Sequence, residues 1–528
     1  MIPQKESPSE KSRRLLRRGK SGLLRLVFSR AGLVALLLLL QVGLLLVMSL
    51  KFEDYLVHYY GAFSLLSAAM VLYLLRTDSD PSAKITWLVL ILLAPVAGSL
   101  LYMYVHTDVG HRALKARVRQ LTKAARPVLP VTEADGALAR SFPADAGIAR
   151  YLRDAMGFHA YDRTAVRYFP LGDDFLPALL ADLEQARSFI FLEYFIIESG
   201  AMWDSVLDVL LQKVDEGVEV RVLYDGSNMV QHLPYNYRSK LEKMGIKAVV
   251  YAPIIPLLST KQNNRDHRKI VVIDGKVGFT GGINLSDEYV NRKTLFGRWK
   301  DVGIKVTGDA VDTLTVLFLQ IWNEERKTSE DYSVYLNKVT EPVEGEKGYV
   351  IPYGDDATNG KDIAEYVYLD IINKAKRYVH IMTPYLVIDN DMRDALIFAA
   401  QRGVDVSLII PHIPDKKMAW YIARTEYPVL VAAGIHIYEY TPGFIHAKMF
   451  VADGECGVVG TINLDYRSLY HHFECAVYVY HDPIIDELEK DFQDTIAVSQ
   501  HVEPGDYKKI PAHQRALGRV MKIWSPLL

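Results

Sequence analysis

The sequence is poor in cysteine and has no excess of basic residues in its main part, and each shortage excludes a class of protein. Two cysteines, Cys456 and Cys475, in 528 residues are too few for a disulfide framework or a four-thiolate zinc site. Half of the residues are hydrophobic and 23% are charged, which excludes a disordered chain. Residues 1–30 carry a charge of +7 and residues 106–130 carry +5, so the net charge of −2 leaves −14 for the rest. Nucleic acid is therefore not an expected partner.

Three long uncharged runs lie between the two basic segments. They cover residues 31–50, 55–75 and 85–105. A helix of about 20 residues rises 1.5 Å per residue and matches a hydrocarbon core about 30 Å thick. The sequence therefore predicts a multi-pass membrane protein with a basic tail at 1–30 and a transmembrane region at 31–106.

The membrane side of the main domain stays open. Basic residues before the first run favour a cytoplasmic N-terminus, yet three spans would then place the second basic segment outside. A re-entrant third run, suggested by Pro95 and Gly98, would remove the conflict. So would an amphipathic helix at 106–130 lying on anionic lipid head groups.

After the apolar region, short strands alternate with helices in a scheme that occurs twice. The first copy has strand, helix and strand at 188–196, 204–216 and 218–224, and the second has them at 378–385, 391–402 and 404–410. Such alternation predicts an α/β fold with helices packed on a sheet. The predicted first half is 107–330, a polar linker follows at 331–348, and the second half is 349–528.

A five-residue motif repeats at one constant spacing of 179 residues. It combines a His, a Lys two residues later, an Asp, a Gly, and an Asn three residues after that Gly. Five polar or small positions at one offset are difficult to explain by core packing. The matched side chains are His267, Lys269, Asp274 and Asn284 in the first half, and His446, Lys448, Asp453 and Asn463 in the second.

Both motifs are typical of a strand that ends in an Asp–Gly hairpin turn. Residues i and i+2 of a strand face one side, so each His projects together with its Lys. If a pseudo-two-fold axis joins the copies, two imidazoles, two ammoniums and two carboxamides surround one point. That set suits a phosphoryl group: Lys and Asn stabilise its oxygens, one His attacks phosphorus and the other protonates the leaving alkoxide.

The remaining candidates orient the histidines or offer alternatives. Asp301 and Glu474 lie near the starts of two later strands, and we expect Asp301 to hold His267 and Glu474 to hold His446. Asp274 and Asp453 are candidate catalytic residues, although an Asp before Gly is also a common turn residue. A zinc site on the repeated histidines is the metal alternative, but a Lys beside each His would repel the ion. We expect no metal and no cofactor.

The motifs identify a family resemblance. The sequence resembles the phospholipase D superfamily, with its two H-x-K-x4-D-x6-G-[GST]-x-N motifs, and within it the bacterial cardiolipin synthases. The likeness extends over about residues 52–528. Further matching segments are 81–88, 92–95, 263–270, 381–385, 463–468 and 525–528.

The resemblance implies two phospholipase D-like halves related by pseudo-two-fold symmetry, each a mixed sheet flanked by helices, after N-terminal transmembrane helices. It implies transfer of a phosphatidyl group between two phosphatidylglycerol molecules, giving cardiolipin and glycerol, in the bacterial plasma membrane. His267 would attack, forming a phosphohistidine, and His446 would protonate the leaving glycerol. One departure concerns the family's Leu-Asn-Phe-Glu, which here is His471-His472-Phe473-Glu474 and places acceptor specificity in question.

Three other functions remain as hypotheses. The scaffold is also compatible with a phospholipase D-type hydrolase or a transferase for another lipid or alcohol. A phosphodiester nuclease fits the acidic main domain poorly, and a non-catalytic membrane scaffold would not need two intact motifs. The sequence predicts no oligomeric state.

Overall fold

A computed structural model describes most of the chain. The described residues are 55–77, 81–107, 109–129, 131–143, 146–253, 264–341, 343–356, 358 and 360–527, with scattered positions between 36 and 51. The predicted basic tail and most of the first apolar run lie outside them. The described residues form two compact units: a large unit within 115–253 and 264–519, and a small unit within 36–114 and 520–527.

The small unit is helical and has a compact apolar core. Its helices are α1 (Leu56–Arg76), α2 (Pro81–Leu93), α3 (Pro95–Thr107) and the first residues of α4 (Val109–Ala125). The core side chains are Met70, Leu74, Trp87, Ile91 and Tyr102.

The third apolar run is not the single helix that the sequence predicts. It divides at Ala94 into two helices of 13 residues each, because proline at position 95 starts a new helix. The chain folds back there: the rings of Trp87 and Tyr102 are 5.2 Å apart, although 15 residues separate them. Gly98 permits the close approach, since a Cβ there would lie 2.7 Å from the carbonyl oxygen of Leu90. A re-entrant third run stays a prediction.

Among the residues that the structure describes, no helix combines the length and apolar character needed to cross a bilayer.

The large unit contains two mixed sheets. The first has the order β1-β8-β6-β5-β2-β3-β4 and the second the order β19-β13-β12-β10-β15-β16-β18-β9. The strands of the first sheet, with the short β7, are β1 (Thr164–Phe169), β2 (Phe189–Tyr194), β3 (Glu219–Asp225), β4 (Lys247–Tyr251), β5 (Lys269–Ile273), β6 (Val277–Gly281), β7 (Arg298–Lys300) and β8 (Gly303–Gly308). The later strands are β9 (Tyr349–Asp356), β10 (Tyr378–Met382), β11 (Leu386–Val387), β12 (Asp405–Pro411), β13 (His436–Tyr440), β14 (Gly443–Ile445), β15 (Met449–Ala452), β16 (Cys456–Gly460), β17 (Leu464–Asp465), β18 (Phe473–Tyr480) and β19 (Ser499–His501).

The two sheets repeat one topology, which confirms the predicted α/β class with mixed sheets. In the first, β2, β3 and β4 are parallel, while β5, β6, β8 and β1 follow in antiparallel order. In the second, β10, β12 and β13 are parallel, while β15, β16, β18 and β9 follow in the same way. All six residues of β2 are buried, as expected of a strand with both faces covered.

Helices alternate with the strands of the large unit. They are α5 (Glu133–Ser141), α6 (Ala146–Met156), α7 (Gly172–Glu184), α8 (Ala201–Asp215), α9 (Asn228–Gln231), α10 (Tyr237–Lys243), α11 (Val311–Arg326), α12 (Ile363–Lys374), α13 (Asn390–Gln401), α14 (Lys417–Ala432), α15 (Tyr466–Tyr470), α16 (Ile484–Ile496) and α17 (Asp506–Lys509). The last helix, α18 (Ala512–Trp524), begins in the large unit and ends in the small one. Helix α11 is buried along most of its length because it contacts strands of both sheets. The sheets also meet directly, with Thr280 Oγ1 3.4 Å from Cys475 Sγ.

Candidate active site

The repeated motifs form two matching hairpins, as the sequence predicts. Strands β5 and β6 are joined at Asp274-Gly275, and β15 and β16 at Asp453-Gly454. All four turn residues have positive φ, between 52° and 69°, which is the backbone that an Asp–Gly hairpin turn requires. The histidines immediately precede these hairpins, and each His therefore lies at the opposite end of a strand from the turn.

The carboxylates of Asp274 and Asp453 are used at the turns and do not reach the imidazoles. Asp274 accepts hydrogen bonds from the backbone N–H groups of Arg187, Ser188 and Phe189, at 2.7–2.9 Å. Asp453 accepts from the N–H groups of residues 376–378 at the same distances. Each Asp ties its hairpin to the start of the neighbouring antiparallel strand, and a catalytic role for either Asp stays a prediction.

The histidines are positioned by backbone pairing between the two halves. Strand β14 pairs in parallel with β7, and the His446 N–H donates to the carbonyl of Lys300 at 2.7 Å. In the same way the His267 N–H donates to the carbonyl of Phe473 at 2.9 Å. The β7–β14 pair needs glycine at position 443, where a Cβ would come within 2.2 Å of the Arg298 carbonyl oxygen.

This pairing reverses the expected partnership of histidines and carboxylates. His267 Nδ1 lies 2.9 and 3.0 Å from the two oxygens of Glu474, and His446 Nδ1 lies 2.6 Å from Asp301 Oδ2. The predicted pairs, Asp301 with His267 and Glu474 with His446, are wrong because each acid directly follows the residue whose carbonyl accepts from the opposite motif's His. Each half therefore supplies the carboxylate for the other half's imidazole.

The carboxylates select the tautomer of the imidazoles. An Nδ1–H that donates to a carboxylate leaves Nε2 with a free lone pair. Both acids are fully buried, and Glu474 also accepts a hydrogen bond from Thr461 Oγ1. Asp301 Oδ1 accepts from the Val302 N–H at 2.8 Å. Fixed carboxylates hold both Nε2 atoms ready to attack or to accept a proton.

The two lysines lie beside the histidines, as the i, i+2 spacing predicts. Lys269 Nζ donates to the His267 carbonyl, and Lys448 Nζ donates to the His446 carbonyl and lies 2.8 Å from His446 Nδ1. All four side chains are buried. Lys448 and His446 are among the charges that lower the pKa of His267, so the two copies act on one another in a single cluster.

Burial dominates the ionisation of this cluster. It lowers the pKa of His446 to about 4, with Lys448 adding to the effect and Asp301 opposing it. It places the pKa of His267 well below its usual range, with Lys269 the next cause. Burial also lowers the pKa of Lys269 to about 8 and that of Lys448 to about 7. Burial therefore favours the neutral form of both imidazoles in the free protein, and the neutral form is the one that a nucleophile needs.

The two motif asparagines are placed differently from one another. Asn284 Oδ1 accepts from the Ile196 N–H at 3.0 Å, and its Nδ2 donates to the hydroxyl of Tyr289 at 2.8 Å. Asn463 is also buried, and its Oδ1 has no hydrogen-bond partner among the described residues. Asn284 is thus held to the protein framework by both ends of its amide, and contact with phosphate remains a prediction for both residues.

Sequence inspection did not predict the aromatic surroundings of the imidazoles. Phe195 meets the His267 ring edge-on at 4.9 Å, and Tyr289 meets the His446 ring at 5.4 Å. Trp299 lies 5.7 Å from His446. Trp299 stands two residues before Asp301, so the i, i+2 rule applied to the carboxylate strands could have found it.

One group of side chains in the described residues has the geometry of a metal site. It consists of Glu365, Asp389 and Asp391, and Tyr470 donates hydrogen bonds to the first two. Neither repeated histidine belongs to it. Asp389 is also the N-terminal cap of α13, accepting from the Met392 N–H at 2.8 Å.

Comparison with protein families supports the geometry. The model described as "Cardiolipin synthase, PLD-like domain" matches residues 179–322 and 368–496, one stretch in each half. A second, described as "Phospholipase_D-nuclease N-terminal", matches residues 65–105. Two joined halves with paired His–Lys motifs define the class of PLD-like proteins.

Known proteins narrow this class. A cardiolipin synthase of Geobacillus kaustophilus is 33% identical over 89% of this chain and 94% of its own length. An uncharacterized protein of Streptococcus mutans is 46% identical over 87% of this chain and 99% of its own length. The chain belongs to the cardiolipin synthase family. The family matches indicate a membrane-associated protein.

A solved structure shares the fold. The phosphatidylserine synthase of Haemophilus influenzae superposes with a TM-score of 0.51 and 12% sequence identity, over 69% of this chain and 95% of that chain. The likeness supports the two-half architecture.

The exchanged carboxylates predict which residues are energetically coupled. In a double-mutant cycle, Asp301→Ala and His446→Ala should show a coupling of about 1 kcal/mol or more in unfolding free energy, because they share a buried hydrogen bond. Asp301→Ala and His267→Ala, which share no hydrogen bond, should show a clearly smaller coupling. Urea denaturation of the purified protein measures both. Strong coupling of Asp301 with His267 and none with His446 would support the pairing expected from the sequence.

The turn position of Asp453 predicts a loss of stability. Asp453→Ala should lower the unfolding free energy by about 3 kcal/mol, since three backbone N–H groups lose their acceptor. Glu455→Ala on the same hairpin is the matched control and should change it by less than about 0.5 kcal/mol. Urea denaturation measures both variants. A catalytic Asp453 would instead give a variant of normal stability without turnover.

Proposed function

We propose that this chain transfers a phosphatidyl group from one phosphatidylglycerol molecule to the terminal hydroxyl of a second, forming cardiolipin and releasing glycerol. The observation that carries the proposal is the pair of buried imidazoles, each with Nδ1 held by a carboxylate of the other half and each with a lysine beside it. Transfer to a second alcohol requires one group that attacks phosphorus and another that serves both alcohols as acid and base, and this pair provides both.

The reaction balances in two steps. In the first, Nε2 of one neutral imidazole attacks phosphorus and the bond from phosphorus to the glycerol oxygen breaks. The other imidazole, which the bound phosphodiester anion favours in its protonated form, gives its proton to that oxygen. A phosphatidyl-histidine and free glycerol result. In the second step the now neutral imidazole takes the proton of the second lipid's hydroxyl, whose oxygen attacks phosphorus and releases the first imidazole. Microscopic reversibility makes the same side chain acid and then base.

The lysines supply charge where the phosphodiester gains it. Lys269 and Lys448 are buried near the imidazoles, and at reduced dielectric their ammonium groups stabilise the oxygens of the five-coordinate transition state more strongly than in water. The resemblance adds Asn284 and Asn463 as phosphate ligands. Lys269, Lys448, His267 and His446 alone suffice for the proposed chemistry, which uses no metal or cofactor.

The location follows from the substrates. Both lipids reside in a bilayer, and a site held at its surface meets them at high effective concentration. We propose a plasma-membrane protein anchored by its N-terminal apolar segments, with α4 on anionic lipid head groups. Helix α4 carries Arg112, Lys115, Arg117, Arg119 and Lys123.

Labelled phosphatidylglycerol tests the activity directly. The purified enzyme in mixed micelles should produce cardiolipin and glycerol in equal amounts, and His267→Ala and His446→Ala should each reduce the rate by at least about 10³-fold. Thin-layer chromatography with mass spectrometry measures the products. His513→Ala, on an exposed helix, is the control and should retain the wild-type rate.

Other products would contradict the proposal in distinct ways. Phosphatidic acid and glycerol as the products from phosphatidylglycerol would show that the enzyme is a hydrolase. Wild-type rates in either His variant would show that the imidazoles do not carry the reaction.

The lowered lysine pKa values predict an alkaline limit. Above its pKa a lysine is neutral, so kcat/KM should fall as pH rises through the range from about 7 to about 8, when Lys448 and Lys269 lose their charges in the free enzyme. Lys448→Arg keeps its charge and should move the limb to higher pH at a lower maximum. Initial rates at subsaturating lipid from pH 5 to 10 measure this. A flat profile to pH 9.5 would contradict the predicted role of lysine charge.

A further inference from the structure

The two ends of the site are built from different side chains although the backbone repeats. On the His446 side, Phe444 stands two residues before the His and Trp299 two residues before Asp301. The register places them opposite each other, with ring centroids 4.7 Å apart. Phe296 packs on both, and Trp299 and Phe444 lie 5.7 and 5.9 Å from the His446 ring. We name Phe296, Trp299 and Phe444 the aromatic wall.

Polar side chains occupy the same positions on the His267 side. Arg265 stands two residues before His267, and His472 two residues before Glu474. The Phe473 N–H donates to the Arg265 carbonyl at 2.8 Å, and the Arg265 N–H approaches His472 Nδ1 at 3.4 Å. The buried His472 ring lies 5.8 Å from the ring of His267. The repeat therefore replaces a Phe–Trp pair by an Arg–His pair.

The charges of two further residues, Arg467 and Lys416, act on His472, and both residues are exposed. The His472 N–H donates to the Arg467 carbonyl at 2.8 Å, and Lys416 lies over the ring of Tyr385 at 4.6 Å. Burial and then the charges of Arg467, His471, Lys416 and Arg265 lower the pKa of His472. We name Arg265, Lys416 and Arg467 the cationic wall.

Three carboxylates lie near these cations, and each also accepts a hydrogen bond from the protein framework. Asp225 is fully buried, accepts from the Ser227 N–H at 2.8 Å and forms an ion pair with Arg265 at 3.5 Å, and the Arg265 guanidinium also donates to the Ala252 carbonyl at 3.0 Å. Asp465 caps α15 by accepting from the Ser468 N–H at 2.8 Å, and Asp415 accepts from the Tyr385 hydroxyl at 2.6 Å.

We propose that the cationic wall binds the phosphodiester of the second lipid. This phosphodiester stays unchanged while the hydroxyl of the same lipid is joined to the transferred phosphatidyl group. The proposal rests on the proposed function. Each phosphatidylglycerol carries one phosphodiester anion, and in cardiolipin a three-carbon glyceryl bridge joins two of them. Lys269 and Lys448 serve the reacting phosphate, so a second anion close by needs a second group of cations. Guanidinium groups suit it because they bind phosphate oxygens in pairs.

The asymmetry gives this binding a consequence for acceptor choice. An acceptor that carries a phosphate gains contacts at the cationic wall, whereas a small neutral alcohol such as glycerol does not. The wall should therefore favour a lipid acceptor over the glycerol released in the first step. Loss of wall charge should weaken cardiolipin formation more than exchange of free glycerol.

Two assays on the full-length enzyme separate these reactions. The first measures cardiolipin from phosphatidylglycerol, and the second measures incorporation of labelled glycerol into phosphatidylglycerol, which needs the same phosphatidyl transfer without an anionic acceptor. Arg467→Gln and Lys416→Gln should each lower the ratio of cardiolipin formation to glycerol exchange by about tenfold, the usual value of one charge-assisted contact. The adjacent exposed Lys417 provides the matched control, and Lys417→Gln should leave the ratio within twofold of wild type.

The outcomes are distinguishable. An unchanged ratio in both wall variants overturns the subsite. An equal fall of the ratio after Lys417→Gln also overturns it, because such a fall shows only general attraction to anionic micelles. A wild-type enzyme that carries out neither reaction overturns the proposed function and the subsite with it. Normal glycerol exchange with an unchanged ratio overturns the subsite alone.

Discussion

The site depends on two short backbone pairings that cross between the halves of the large unit. The hydrogen bonds from the His267 N–H to the Phe473 carbonyl and from the His446 N–H to the Lys300 carbonyl place each imidazole one residue from a carboxylate of the other half. Backbone pairing is directional and leaves little freedom in register, so it positions side chains that are far apart in sequence. Neither half alone contains a complete His–carboxylate pair, and this makes the joined halves the functional unit.

That arrangement concentrates charged groups where water is scarce. Two lysines, two histidines and two carboxylates are buried within one cluster, and desolvation is the largest cause of the shifted pKa values of the histidines and lysines. Desolvated ammonium groups are costly in the empty site, and an anionic phosphodiester that enters relieves that cost. The same burial that destabilises the free cluster therefore favours binding of the substrate's charge, and it keeps the attacking imidazole neutral.

The two halves share one topology, but the side chains next to His267 differ from those next to His446. Trp299 and Phe444 pack against His446. His472 lies beside His267, and the charges of arginine and lysine side chains act on His472. A symmetric pair of catalytic groups suits a reaction whose two steps are the reverse of one another, whereas unlike walls suit two alcohols of unlike charge.

In the small unit, the hairpin of α2 and α3 is packed through Gly98 and through Trp87 against Tyr102.

Local signals in the sequence determined much of this protein. Apolar patterns predicted a strand–helix–strand unit in each half, and the Asp–Gly pairs predicted both hairpin turns. The His-x-Lys spacing placed each Lys beside its His. Each of these depends on residues a few positions apart. The exchange of carboxylates was decided only in three dimensions, since Asp301 and His446 are 145 residues apart and Glu474 and His267 are 207 apart. The position of Asp274 and Asp453 away from the imidazoles, the fold of the third apolar run back on itself, and the unlike walls likewise arise from packing between distant segments, which no local pattern records.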